Sequence, residues 1–100
     1  ELKAAALPDR VMVDCSHGNS NKDYRRQGEV LTAVADQVRQ GSTSVLGVML
    51  ESNLVEGNQK LPADLSQLAY GQSITDACID LTTTEQLLEQ LAAAVPVPVA

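Results

Sequence analysis

An apolar run, Val11-Met12-Val13, passes straight into Asp14-Cys15-Ser16-His17-Gly18-Asn19-Ser20. A β-branched run reads as a buried strand, and the polar cluster after it reads as a chemical site at the strand's end. The only histidine of the chain is in that cluster. The plan recurs twice. Val45-Leu46-Gly47-Val48-Met49-Leu50 runs into Glu51-Ser52-Asn53, and Ser73-Ile74-Thr75 carries Asp76 into Ala77-Cys78-Ile79. Three short strands, over 11–16, 44–50 and 73–79, are expected to deliver one potential ligand each: His17, Glu51 and Asp76.

Helical periods separate them. Val30, Val34 and Val38, with Leu31 and Ala35 beside them, make one apolar stripe between Lys22 and about Gln40, stopped by Gly41. Thr82-Thr83-Thr84-Glu85 is a capping-box pattern. It opens a second helix that places Leu87, Leu88, Leu91, Ala92 and Val95 on one face and ends at Pro96 and Pro98. Glu1 to Leu7 reads as the tail of a helix stopped by Pro8, as if the start lay upstream. Residues 51–72 form a connection far longer than the usual four to six or so residues, which marks it as functional or loose.

The order is helix tail, β, α, β, loop, β, α. Alternation of this kind means a parallel sheet, and the strand over 44–50, apolar on both faces, suits burial on both. A (β/α)8 barrel gathers its sites at the C-terminal strand ends, where His17, Glu51 and Asp76 fall, but typically needs about 250 residues. The fold expected is therefore α/β: about three parallel strands forming the C-terminal β/α units of a TIM (β/α)8 barrel, incomplete over residues 1–100.

Composition narrows the function. A net charge of −6 excludes the basic face of a nucleic-acid binder. No apolar run approaches the roughly 20 residues of a membrane span, and Glu1-Leu2-Lys3-Ala4 lacks the pattern of a signal peptide. Cys15 and Cys78 read as reduced core thiols, which suits a cytoplasmic location. With two tyrosines as the only aromatics, the core must come from Val, Leu, Ile and Ala.

One imidazole and two carboxylates, about one βα unit apart, suit a divalent ion such as manganese, iron, cobalt or zinc. The ordinary alternatives are a histidine that caps a turn and carboxylates that cap helices or sit in loops. Asp14 is placed to orient the site from behind. Lys22, Arg25 and Arg26 could draw in a phosphate, though a solvated helix face is the commoner use. Asn53, Glu56, Asn58 and Gln59 either shape a pocket or satisfy the loop backbone.

Three blocks carry a family resemblance: Asp14-Cys15-Ser16-His17-Gly18-Asn19-Ser20, Gly47-Val48-Met49-Leu50-Glu51-Ser52-Asn53-Leu54-Val55-Glu56-Gly57-Asn58-Gln59, and Leu68-Ala69-Tyr70-Gly71-Gln72-Ser73-Ile74-Thr75-Asp76-Ala77-Cys78. In this order and spacing they resemble the closing part of class I 3-deoxy-D-arabino-heptulosonate 7-phosphate (DAHP) synthase, over roughly residues 9 to 95. The resemblance implies a metal-dependent barrel enzyme at the first step of the shikimate pathway to aromatic amino acids. It would condense phosphoenolpyruvate with erythrose 4-phosphate. It implies a Cys, His, Glu, Asp metal set, with His17, Glu51 and Asp76 as its last three members and His17 and Asp76 taking part in catalysis. The Cys ligand and most phosphate-gripping residues belong to a part that this sequence lacks. Neither Cys15 nor Cys78 matches that ligand. The segment alone is expected to be inactive and to self-associate through exposed barrel edges. The rival expectation is a non-catalytic module that binds a metal or complements a separate N-terminal part.

Overall fold

The structure, a computed structural model, describes Leu2 and residues 4–96. Two strands, β1 (Val11–Asp14) and β2 (Val45–Met49), pair in parallel. Helix α1 (Gln27–Arg39) connects them, entered through a 3₁₀ turn over Tyr24–Arg26, and α2 (Leu81–Ala94) packs on α1. Because the pair is parallel, both strands end at the same edge. Asp14 stands opposite Met49, and the Cys15 N–H donates to the Met49 carbonyl at 2.9 Å. His17 and Glu51 come directly after those ends.

The helices form where the apolar periods place them. Leu31, Val34 and Ala35 on α1 are buried, and Leu31 meets Cys15, Ile79 and Leu87 in one cluster. Gly41 closes α1 in the left-handed region (φ 97°). The Ser42 N–H donates to the Gln37 carbonyl and the Gly41 N–H to that of Val38, which satisfies carbonyls that a helix end otherwise leaves open. The helices approach closely at Gly28, where an added Cβ would lie 3.6 Å from Leu87 Cδ2.

Four expectations need correction. The third strand over 73–79 does not form as a strand; it is three isolated bridges, Asn58 to Ser73, Gly57 to Cys78 and Ser52 to Ile79. Ser73 Oγ accepts from the Thr75 N–H at 3.0 Å, and such local side-chain bonds compete with a ladder. The cap of α2 is Asp80 rather than Thr82: its carboxylate accepts from the Thr83 N–H at 2.8 Å, and Thr82 lies inside the helix. The sheet is not covered on both sides. The register slips between Val11 and Met12, which leaves Leu46 unpaired and 69% exposed, and Met12 is 64% exposed. No helix is seen in the first residues described. Ala5 and Leu7 both donate to the Leu2 carbonyl in a turn, with Ala6 left-handed. Glu1, Lys3 and Pro98 lie outside the described residues.

The long connection is folded by its own polar side chains. Gln59 bonds the backbone of Ala69 and Gln72, and Gln72 bonds that of Glu56. Gly71 is its tightest point. Its φ is +78°, and an added Cβ would lie 2.7 Å from Leu54 Cβ. Gly71→Ala should therefore destabilise the chain by at least the roughly 1–2 kcal/mol of a left-handed alanine, read as a lower thermal midpoint. An unchanged midpoint would refute the close approach.

Candidate metal centre

Asp14 is the last residue of β1, and it organises the turn beyond the strand. Its Oδ1 accepts from the Ser16 N–H at 2.8 Å and from the Ser16 hydroxyl. Its carbonyl accepts from Asn19 Nδ2 at 2.6 Å. These bonds end the strand in a tight turn. His17 then takes φ +47°, and Asn21 and Lys22 are left-handed as well. Non-glycine residues in that region carry strain, which clusters at functional sites. Here the turn holds the imidazole over the strand end.

The ring is fixed from one side. His17 Nδ1 lies 2.8 Å from Asp14 Oδ2. With that nitrogen committed, Nε2 faces Asp76 Oδ2 at 3.1 Å and Glu51 Oε1 at 3.5 Å. Donor atoms of His17, Glu51 and Asp76 all lie within 4.8 Å of one another, and they form the one such group found among the described residues. Ligands at 2.0–2.2 Å from a common ion are separated by roughly 3–3.5 Å. The observed spacing from Nε2 to both carboxylates matches that edge, so the three residues fit a divalent ion. A carboxylate behind a ligating histidine is the usual means of setting its tautomer and basicity.

Electrostatics agree with this reading. The His17 pKa is raised, first by the hydrogen bond to Asp14, then by that to Asp76 and by the charge of Glu51. Asp14 is lowered, by Ser16 first and His17 second. A proton on Nε2 is thus held by the carboxylates that would share an ion with it. The side chains open outward in steps, Glu51 at 21% exposed, His17 at 47% and Asp76 at 64%. They line a cavity of about 250 Å³ that Lys22, Tyr24 and Asn58 also face.

The other candidates divide. Lys22 reaches the cavity, whereas Arg25 pairs with Asp23 and Arg26 with Glu29. Asn58 reaches it and also donates to the Thr75 carbonyl at 2.9 Å, beside Asp76. Asn53 and Gln59 serve the loop backbone instead, and Glu56 enters that network through its own carbonyl, which accepts from Gln72 Nε2. Cys15 and Cys78 are free and buried, with thiol pKa values pushed up chiefly by burial, and neither joins the donor group. Sequence reasoning missed Gln27, whose carboxamide bonds the backbone of Glu51. Its signal was a polar residue four before Leu31, at the head of the apolar stripe.

Known proteins resemble this chain in sequence and in fold. Residues 1–89 match the family model described as the DAHP synthetase I family. The chain is 52% identical over 96 residues to a phospho-2-dehydro-3-deoxyheptonate aldolase of Alternaria alternata, covering 95% of this chain and 26% of that protein. It is 50% identical over 91 residues to the Tyr-sensitive enzyme of that name from Escherichia coli (strain K12), covering 91% and 26%. The solved phospho-2-dehydro-3-deoxyheptonate aldolase of Francisella tularensis superposes with a TM-score of 0.87 at 49% identity. That match covers 94% of this chain and 27% of the solved one. The chain spans about a quarter of the length of these relatives.

Proposed function

The chain belongs to the DAHP synthetase I family, and from that membership we propose that it is the C-terminal part of a DAHP synthase (β/α)8 barrel. The parent would join phosphoenolpyruvate, erythrose 4-phosphate and water into DAHP and inorganic phosphate. The observation that carries this reading is the convergence of His17, Glu51 and Asp76 at the C-terminal edge of two parallel strands, where barrel enzymes keep their sites.

When bound, a divalent ion supplies the Lewis acidity that polarises the erythrose 4-phosphate aldehyde for attack by the enol carbon. The chain's own residues do the rest. Asp14 holds His17 so that Nε2 faces the cavity. Glu51, the least exposed of the three, anchors the inner side of the donor set. Asp76, the most open, stands where a ligand carboxylate can also take part in moving a proton to the developing alkoxide. Lys22 gives the cavity a cation suited to a substrate anion. Free, buried thiols go with a cytoplasmic location, and no helix among the described residues is long and apolar enough to cross a membrane.

Alone, the segment is read as inactive. Both substrates carry phosphate, yet of Lys22, Arg25 and Arg26 only Lys22 faces the cavity, and the two arginines are paired elsewhere. Its surface supports the same reading. A compact domain of this length has a radius of gyration of about 13 Å, but this chain has 16.6 Å. Met12 and Leu46 on the sheet and Leu81 and Leu88 on α2 are exposed. That surface favours a second reading as well, a module that self-associates or completes itself with a separate N-terminal part.

Calorimetric titration with manganese, beside a turnover assay with both substrates, tests these claims. One ion bound and turnover at background are expected. Turnover by the chain alone would overturn the incomplete-site reading. Failure to bind manganese would overturn the preassembled donor set.

A further inference from the structure

We propose that Gln27 is a positioning residue that sets the Glu51 carboxylate within the donor group; the claim rests on the metal reading given above. The side chain of Gln27 is fully buried, with no exposure to solvent. Its carboxamide makes two bonds to one residue. Nε2 donates to the Glu51 carbonyl at 3.1 Å, and Oε1 accepts from the Glu51 N–H at 2.8 Å.

That pairing imitates a neighbouring strand. The ladder between β1 and β2 closes with the bond from Cys15 to Met49, two residues before Glu51. Beyond it the backbone of β2 has lost its partner, and a buried N–H without one costs about 1–3 kcal/mol. Gln27 takes over as that partner from the first turn of α1. On its other side Glu51 is held by the segment that carries Asp76, because the Ile79 N–H donates to the Glu51 carbonyl at 3.0 Å. The ligand's peptide is thus gripped from two sides, and its side chain leaves a fixed point.

A side chain that both donates and accepts is required. Methionine fills similar space and offers neither function. Glutamate keeps the acceptor for the N–H but sets an oxygen against the Glu51 carbonyl. Val34, two turns further along α1, is buried outside the cluster of Cys15, Leu31, Ile79 and Leu87, and its aliphatic side chain has no group with which to hydrogen-bond Glu51. It therefore supplies a control that loosens the core without touching the clamp.

The test uses the chain carrying Gln27→Met, Gln27→Glu or Val34→Ala. Manganese affinity is read by calorimetry, stability by thermal melting, and the His17 ring ¹⁵N shifts by NMR without metal. Gln27→Met is expected to weaken manganese binding about 10–100-fold, the range for lost support behind a ligand, and to move the His17 ring shifts through the displaced Glu51 charge. Gln27→Glu is expected to lie in the same direction and serves if the methionine variant fails to fold. Val34→Ala should lower the melting midpoint while leaving both other readouts as in the unaltered chain. Unchanged affinity and ring shifts in a folded Gln27 variant would overturn the proposal. So would parallel losses in Val34→Ala, which would make Gln27 one more packing residue. If the unaltered chain binds no manganese, the metal reading fails by itself. The His17 ring shifts then decide the positioning of Glu51.

Discussion

His17→Ala should lower manganese affinity by more than about 100-fold, beyond the 10–100-fold range of losses seen when only the support of a ligand is removed. His17 Nε2 is the atom that faces both carboxylates, at 3.1 Å and 3.5 Å, so its removal takes away the nitrogen donor from the group. It also leaves Glu51 and Asp76 side by side without a cation between them. The fold should survive, because the ring is about half exposed and lies outside the Leu31 cluster. Melting and calorimetry together check this: lost binding with a retained transition is expected, and retained binding would remove His17 from the donor set.

The same substitution should abolish a pH dependence. A ligating imidazole must be neutral, and the His17 pKa is raised in the ion-free chain by Asp14, Asp76 and Glu51. Protons therefore compete with the ion, and manganese affinity should rise as pH climbs through that raised value. Stability without metal runs the opposite way. The contribution of protonated His17 is full below its unfolded-state pKa and fades as pH rises through the folded one. In His17→Ala both trends should flatten.

Much of this arrangement can be read in the residues, for a physical reason. Val11-Met12-Val13 and Val45-Leu46-Gly47-Val48-Met49 are apolar enough to declare strands, and His17 and Glu51 stand just past those runs. The stripe of Val30, Leu31, Val34 and Ala35 needs only the helical period to be recognised. Parallel pairing then brings the strand ends together without further information. The features that could not be read depend on partners distant in sequence or on competition between near neighbours. Ser73 and Thr75 spend their groups on each other, and the bridge from Gly57 to Cys78 depends on the path of the long connection, so residues 73–79 look like a strand and do not become one. Asp80 and Thr82 both offer a cap to α2. The charged acceptor at Asp80 wins and draws Leu81 into the helix.

The site shows the same division. Asp14 and His17 are three apart, so their contact is local, whereas Gln27 meets Glu51 across 24 positions. Nothing in local sequence says that a glutamine heading an apolar stripe will turn inward to a strand end. Only the packing of α1 on the sheet decides that.

Leu31→Ala is the second large effect, and it joins the core to the site. Leu31 is fully buried among Cys15, Ile79 and Leu87. Truncating such a leucine costs about 2–5 kcal/mol, as lost transfer energy plus the cavity left behind. A chain of this size commonly has only about 5–15 kcal/mol in total, and this one leaves Met12, Leu46, Leu81 and Leu88 exposed. The variant should therefore be largely unfolded near its normal melting midpoint and should show a clear loss of midpoint in thermal or urea unfolding. Its neighbours give the loss a functional side. Cys15 lies two residues before His17, and Ile79 is bonded to the Glu51 peptide and lies three residues after Asp76. A cavity at Leu31 thus slackens the supports of all three donors at once. Manganese, which binds only the assembled group, should raise the variant's midpoint through mass action. A variant that melts like the unaltered chain would show that the cluster is not the core, and one that, while folded, binds manganese as tightly as the unaltered chain would separate the core from the site.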